Sequence, residues 1–119
     1  SGRMALRMEA RRIGLAMQLA PQEWPHWLLP EPPNPCAQYH RPRRGSQPAC
    51  WTYWQKTPGV WVNQWQEVCD DRILLDYFEK LPGNVFKIEA DKQMIALYWG
   101  EKGEATVLQD IDAALKALA

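Results

Sequence analysis

Three cysteines and one histidine carry the residue types with the most specific chemistry: Cys36, His40, Cys50 and Cys69. Together they offer thiolate and imidazole ligands for zinc, in the spacing C-x3-H-x9-C and then eighteen residues to the last cysteine. Structural zinc sites prefer two tight ligand pairs. Only Cys36 and His40 are close here, and His26 is a spare imidazole, so the four are not expected to converge on one ion. Cys36 or Cys50 with His40 could instead form a nucleophile and its base. That pairing needs hydrogen-bond reach and a stiff support, and a stretch rich in proline supplies neither. Asp70 and Asp71 read as helix caps, because adjacent positions point in different directions and make a poor acid/base pair. No glycine-rich phosphate loop, G-x-S-x-G or H-E-x-x-H pattern occurs. The expectation is a non-enzyme with no metal and no cofactor.

Tryptophan is the second resource, with seven in 119 residues, four of them between Trp51 and Trp65. Residues 51–65 read as two strands around Pro58-Gly59. With Thr57 paired to Val60, Lys56 lies opposite Trp61 and Trp54 opposite Asn63. Trp54, Trp61 and Trp65 then share one face, while Tyr53, Val60 and Val62 take the other. A slip of one residue would move a whole arm to the opposite face. These tryptophans serve either as core or as a stacking surface for bases, sugars or a partner's proline. Arg41, Arg43 and Arg44, in Arg41-Pro42-Arg43-Arg44-Gly45, form the densest basic cluster and offer contacts to phosphate or to an acidic partner.

The elements that would position these groups follow from pattern. Ser1-Gly2-Arg3 before Met4 reads as an expression scar and stands outside the fold reasoning. Met4 to Ala20 favours helix, with one stripe of Leu6, Ala10, Ile13 and Met17 and another of Met4, Met8, Leu15 and Leu19. Residues 21–50 hold eight of the ten prolines and read as a long irregular arm. Trp24, Trp27, Leu28 and Leu29 pin it, and Pro30-Glu31-Pro32-Pro33 fits a PxxP spacing. Asp70 or Asp71 caps a helix to Leu81 with Leu74, Tyr77, Phe78 and Leu81 as its stripe. Val85–Ala90 and Met94–Trp99 read as strands. Thr106 with Gln109 makes a capping box for the last helix, with a strand at 105–108 as the alternative.

The organisation expected is therefore residues 4–50 as N-terminal helix and proline-rich arm, and 51–119 as an α+β core. The fold class is α+β, a two-layer domain with a small, mostly antiparallel sheet. Charge is zero overall but split, with +5 in residues 1–60 and −5 in residues 61–119. No apolar run is long enough to span a membrane, and an odd number of cysteines suits a reducing, cytoplasmic setting. The function expected is a non-catalytic protein-protein interaction module, its partner another protein or a second copy of the chain. Contact residues would be Trp24, Trp27, Leu28, Trp54, Trp61 and Trp65. The alternative is a single-stranded nucleic-acid binder that stacks bases on a tryptophan face beside the basic loop, with weak and salt-labile binding.

Overall fold

Gly14 decides where the first helix ends. In the computed structural model, which describes residues 2–44 and 49–119, helix α1 spans Gly2–Arg12. Gly14 takes φ +78°, a left-handed conformation that costs glycine little. The Gly14 amide then donates to the Arg11 carbonyl and the Leu15 amide to the Ala10 carbonyl, at 3.2 and 2.8 Å. This is the Schellman pattern, which closes a helix and redirects the chain. The helix expected over 4–20 is corrected accordingly: its second half is strand β1, Ala16–Ala20. The second apolar stripe divides with it. Met4, Met8 and Leu19 are exposed, while Leu15 is buried.

The stretch expected to be irregular over 21–50 is also interrupted by a strand. Cys36–Pro42 forms β2, followed by β3 at Trp51–Thr57, β4 at Val60–Val62, helix α2 at Arg72–Phe78, β5 at Val85–Ala90, β6 at Met94–Trp99 and helix α3 at Val107–Leu118. The six strands form one sheet in the order β1-β2-β6-β5-β3-β4, antiparallel at every pairing. The chain is thus α+β. The hairpin at 51–62 and the pair at 85–99 share one sheet, as their alternation predicts, but β2 lies against β6 in its interior.

Strand alternation divides the sheet's side chains between two sides. On one, Tyr39, Ile88, Ile95, Leu97 and Trp99 pack under Leu6 and Ala10 of α1, Leu74 and Phe78 of α2, and Leu108, Ile111 and Leu115 of α3. On the other, Trp24 and Leu28 from the segment between β1 and β2 pack with Cys36, Ala96 and Tyr98. Polar ties fix the helices. Arg7 donates to both carboxylate oxygens of Glu101 at 2.8 and 2.7 Å, and the Tyr39 hydroxyl adds a bond at 2.8 Å. Arg41 binds Asp112 of α3.

Asp71 caps α2 as expected, its side chain accepting from the amides of Ile73 and Leu74. Thr106 precedes α3 but makes no side-chain cap bond, so the expected capping box does not form. Its backbone is already helical at φ −62° and ψ −24°, whereas a capping side chain works from an extended backbone.

Candidate functional site

The hairpin's register governs the site. Thr57 pairs with Val60 as expected, but a bulge between Gln55 and Thr57 sets Gln55 opposite Trp61 and Trp54 opposite Val62. One extra residue in an arm reverses the faces beyond it. Trp54 therefore lies on the side of Trp24 and Trp27. Trp61 turns into the helix-side core, 2% exposed, with its ring 4.8 Å from Phe78. Trp65 belongs to neither face: it sits on the turn after β4 and is 72% exposed. The three rings do not form the common face expected of them.

That turn is built by Asn63. Its Oδ1 accepts from the amides of Trp65 and Glu67 at 3.0 and 2.9 Å, and Gln66 takes φ +61°. The chain doubles back, and the Cys69 amide reaches the Trp61 carbonyl at 2.8 Å. Strand β4 is consequently short; it pairs with Trp54–Thr57 of β3, and its Val62 also bridges Val68 of the returning chain. Among the described residues, the preceding Trp51, Thr52 and Tyr53 pair with β5 alone. They line a cleft of about 460 Å³ whose wall also includes Cys50, Asn63, Gln64, Trp65, Glu89 and Asp91.

Glu89 connects this cleft to a polar chain across the sheet. Its Oε1 accepts from the Tyr98 hydroxyl at 2.7 Å. The Tyr98 oxygen accepts from Gln38 at 2.8 Å, and Gln38 accepts from Gln18 at 2.8 Å. Lys87 Nζ lies 3.7 Å from the same Glu89 oxygen and donates to Gln22 at 2.6 Å. It sits 4.3 Å from the centre of the Tyr98 ring, with Trp24 and Trp54 at 5.6 and 5.8 Å. Burial pulls the Lys87 ammonium below the usual lysine range, opposed by Glu89. Sequence alternation missed Lys87, since a lysine on a strand reads as a solvated position.

Of the remaining expected contacts, Trp24, Trp27 and Leu28 pack together with Trp54, and Leu29, expected to pin the same segment, is exposed. Leu28 and Trp24 are buried and Trp27 is half-buried, its ring 5.8 Å from Trp54. Arg41 is engaged by Asp112 and by the Ile13 carbonyl. Arg43 is buried and donates to the carbonyls of Ala49 and Asp91. Arg44 is exposed, and Gly45 of the same cluster lies outside the described residues.

Cys36 and Cys69 are buried and Cys50 is exposed. Cys36 and His40 occupy one strand, where positions four apart are separated by about 13 Å. They are therefore too distant to act as the nucleophile and base weighed from the sequence. Cys50 directly precedes β3, which lies three strands from His40, roughly 14 Å away by strand spacing. Among the described residues no group of three or more His, Cys, Asp or Glu is placed to hold a metal ion.

Several buried or half-buried groups tie stability to alkaline pH. Burial pushes the Cys36 thiol from 9.0 up to about 11. Burial, with a hydrogen bond to Cys69, pushes Tyr53 from 10.0 up to about 12. Tyr39 and Tyr98 are raised further, by burial first and then by Glu101 and Glu89. Each raised group ionises sooner in the unfolded chain, so its stabilisation is complete below its unfolded value and is lost as pH rises through the folded one. Lys87 acts oppositely, favouring the folded state as pH rises toward 10.5. Four groups against one predict falling stability between about pH 9 and 12. Urea melts across that range should show it, and Cys36→Ala should flatten the decline between about pH 9 and 11.

Compared with protein-family models, with characterised proteins and with solved structures, the chain matches none. Among the described residues no helix is long and apolar enough to cross a membrane.

Proposed function

We propose that this chain is a non-catalytic protein-interaction module that receives an extended segment of a partner protein along the open edge of β3. One observation carries the reading. Among the described residues Trp51–Tyr53 has a strand partner on one side only, and these three residues line the cleft together with the exposed Trp65. An extended peptide can add a strand to such an edge, with main-chain bonds supplying affinity and flanking side chains supplying selectivity. Three residues offer only a few hydrogen bonds at about 1 kcal/mol each, less than the roughly 4 kcal/mol of millimolar binding, so the flanking side chains must supply most of the affinity. Two buried unpaired thiols, Cys36 and Cys69, suit a reducing compartment such as the cytoplasm.

The nucleic-acid reading draws support from Trp65, since an exposed ring can stack on a base. It is weakened by Arg41 and Arg43, whose donors are used within the fold. A second copy of the chain could also pair at the open edge.

Selection from a displayed random-peptide library tests the proposal. Selected peptides should bind the wild-type chain, lose at least tenfold in affinity on Trp65→Ala, and protect from hydrogen exchange those amides within 51–53 that face away from β5. Binding of oligo-dT without binding of any peptide would overturn the reading. So would a dimer in sedimentation that buries Trp51–Tyr53.

A further inference from the structure

Glu89 and Asp91 reach the cleft from the same end of β5, and each has one oxygen fixed from behind. Glu89 Oε1 is held by Tyr98. Asp91 Oδ1 accepts from the amides of Gln93 and Met94 at 2.7 and 2.8 Å. Their second oxygens have no hydrogen-bond partner among the described residues, and both residues line the cleft. No lysine or arginine is among its lining residues. Of the neighbouring cations, Lys87 lies 3.7 Å from Glu89 Oε1, the oxygen that Tyr98 holds, and donates to Gln22 beneath the rings, while Arg43 donates to backbone carbonyls.

From this arrangement we infer that the partner segment is cationic, presenting a lysine or arginine to Glu89 and Asp91. The inference rests on the proposed edge pairing and specifies its guest. Thr52 lies opposite Glu89 across the β3–β5 pair. A guest residue opposite Thr52 points to the same side as Glu89, because alternate strand residues share a face. Guest and Glu89 backbones are then two strand spacings apart, roughly 10 Å. The long side chain of lysine or arginine closes that gap over the small threonine. Its two neighbours in the guest point the other way, toward Trp51 and Tyr53, and are apolar. The selected pattern is a basic residue between two apolar ones. Complementary charge at a site with fixed acceptors favours the right partner and disfavours the acidic one.

Three nine-residue peptides alternating threonine and valine test this, with lysine, glutamine or glutamate at the centre and valine on both sides of it. Calorimetric titration of the full chain at low salt should show the lysine peptide binding at least tenfold tighter than the glutamine peptide. The glutamate peptide should be weakest. The lysine preference should shrink several-fold in Asp91→Asn and Glu89→Gln, and in high salt as screening sets in. Glutamine at 89 keeps an acceptor for Tyr98, and the Asp91 variant leaves that chain untouched. Equal affinity for all three peptides overturns the inference while leaving edge pairing in place. No binding by any of them at millimolar concentration overturns both.

Discussion

Replacing Glu101 by alanine is expected to destabilise the fold by about 3 kcal/mol, the lower end for removing one partner of a buried ion pair. The Glu101 side chain is 3% exposed and that of Arg7 33%. The guanidinium can therefore recover some hydration after the change, while the buried Tyr39 hydroxyl loses its acceptor. Burial alone would raise the Glu101 carboxyl; the hydrogen bonds of Arg7 and Tyr39 outweigh it and hold the group below its ordinary 4.5. A depressed carboxylate stabilises the fold above its unfolded pKa, and that share is lost as pH falls through the folded one. Acid titration of stability should therefore be steeper in the wild type than in Glu101→Gln. Glu101 also takes φ +53°, where an L side chain is strained and glycine is not. Glu101→Gly should consequently be less damaging than Glu101→Ala by about 1 kcal/mol, although both lose the carboxylate. Urea denaturation of the three variants measures each difference, and equal losses for glycine and alanine would remove backbone strain from the account.

Trp61→Ala should cost about 3–5 kcal/mol, as large-to-small changes of buried aromatics do. Trp65→Ala should stay within about 0.5 kcal/mol of wild type. The two residues lie four apart in the hairpin and its turn, yet one is 2% exposed and the other 72%. Removing Trp61 empties space beside Phe78 and unseats α2 from the hairpin. Removing Trp65 takes away only a cleft wall, so peptide affinity should respond and the melting curve should not. Comparable destabilisation by the two changes would show that Trp65 packs in the fold.

Several elements were legible because local signals and tertiary packing agree. Val85–Ala90 and Met94–Trp99 alternate or run apolar, and Asp71 sits where an N-cap belongs. Two strands were hidden for identifiable reasons. The sequence of β1 follows a helix without a polar break, and its boundary rests on Gly14 alone, a signal that the surrounding helix formers mask. In β2, Gln38 is 3% exposed, and its amide is satisfied by Gln18 and Tyr98. Both partners are remote in sequence, so local patterning reads Gln38 as a surface residue. The cleft was half legible. Trp51 and Trp65 mark the region, but the open edge exists because β4 stops at Val62 and the bulge reverses Trp61. Neither follows from side-chain alternation.

The placement of Lys87 gives the molecule an internal clock. Lys56, Lys80, Lys92, Lys102 and Lys116 are exposed, whereas Lys87 lies beneath rings from Trp24 and Trp54 and is tied to Gln22. An amine-reactive acylating reagent should mark those five within the native state and spare the sixth. Acylation at Lys87 then counts the occasions on which the segment carrying Gln22 and Trp24 lifts from the sheet. Mass-spectrometric timing of that single modification, with and without a bound peptide, would reveal whether filling the cleft beside Glu89 also holds the Gln22 segment down over the neighbouring Lys87.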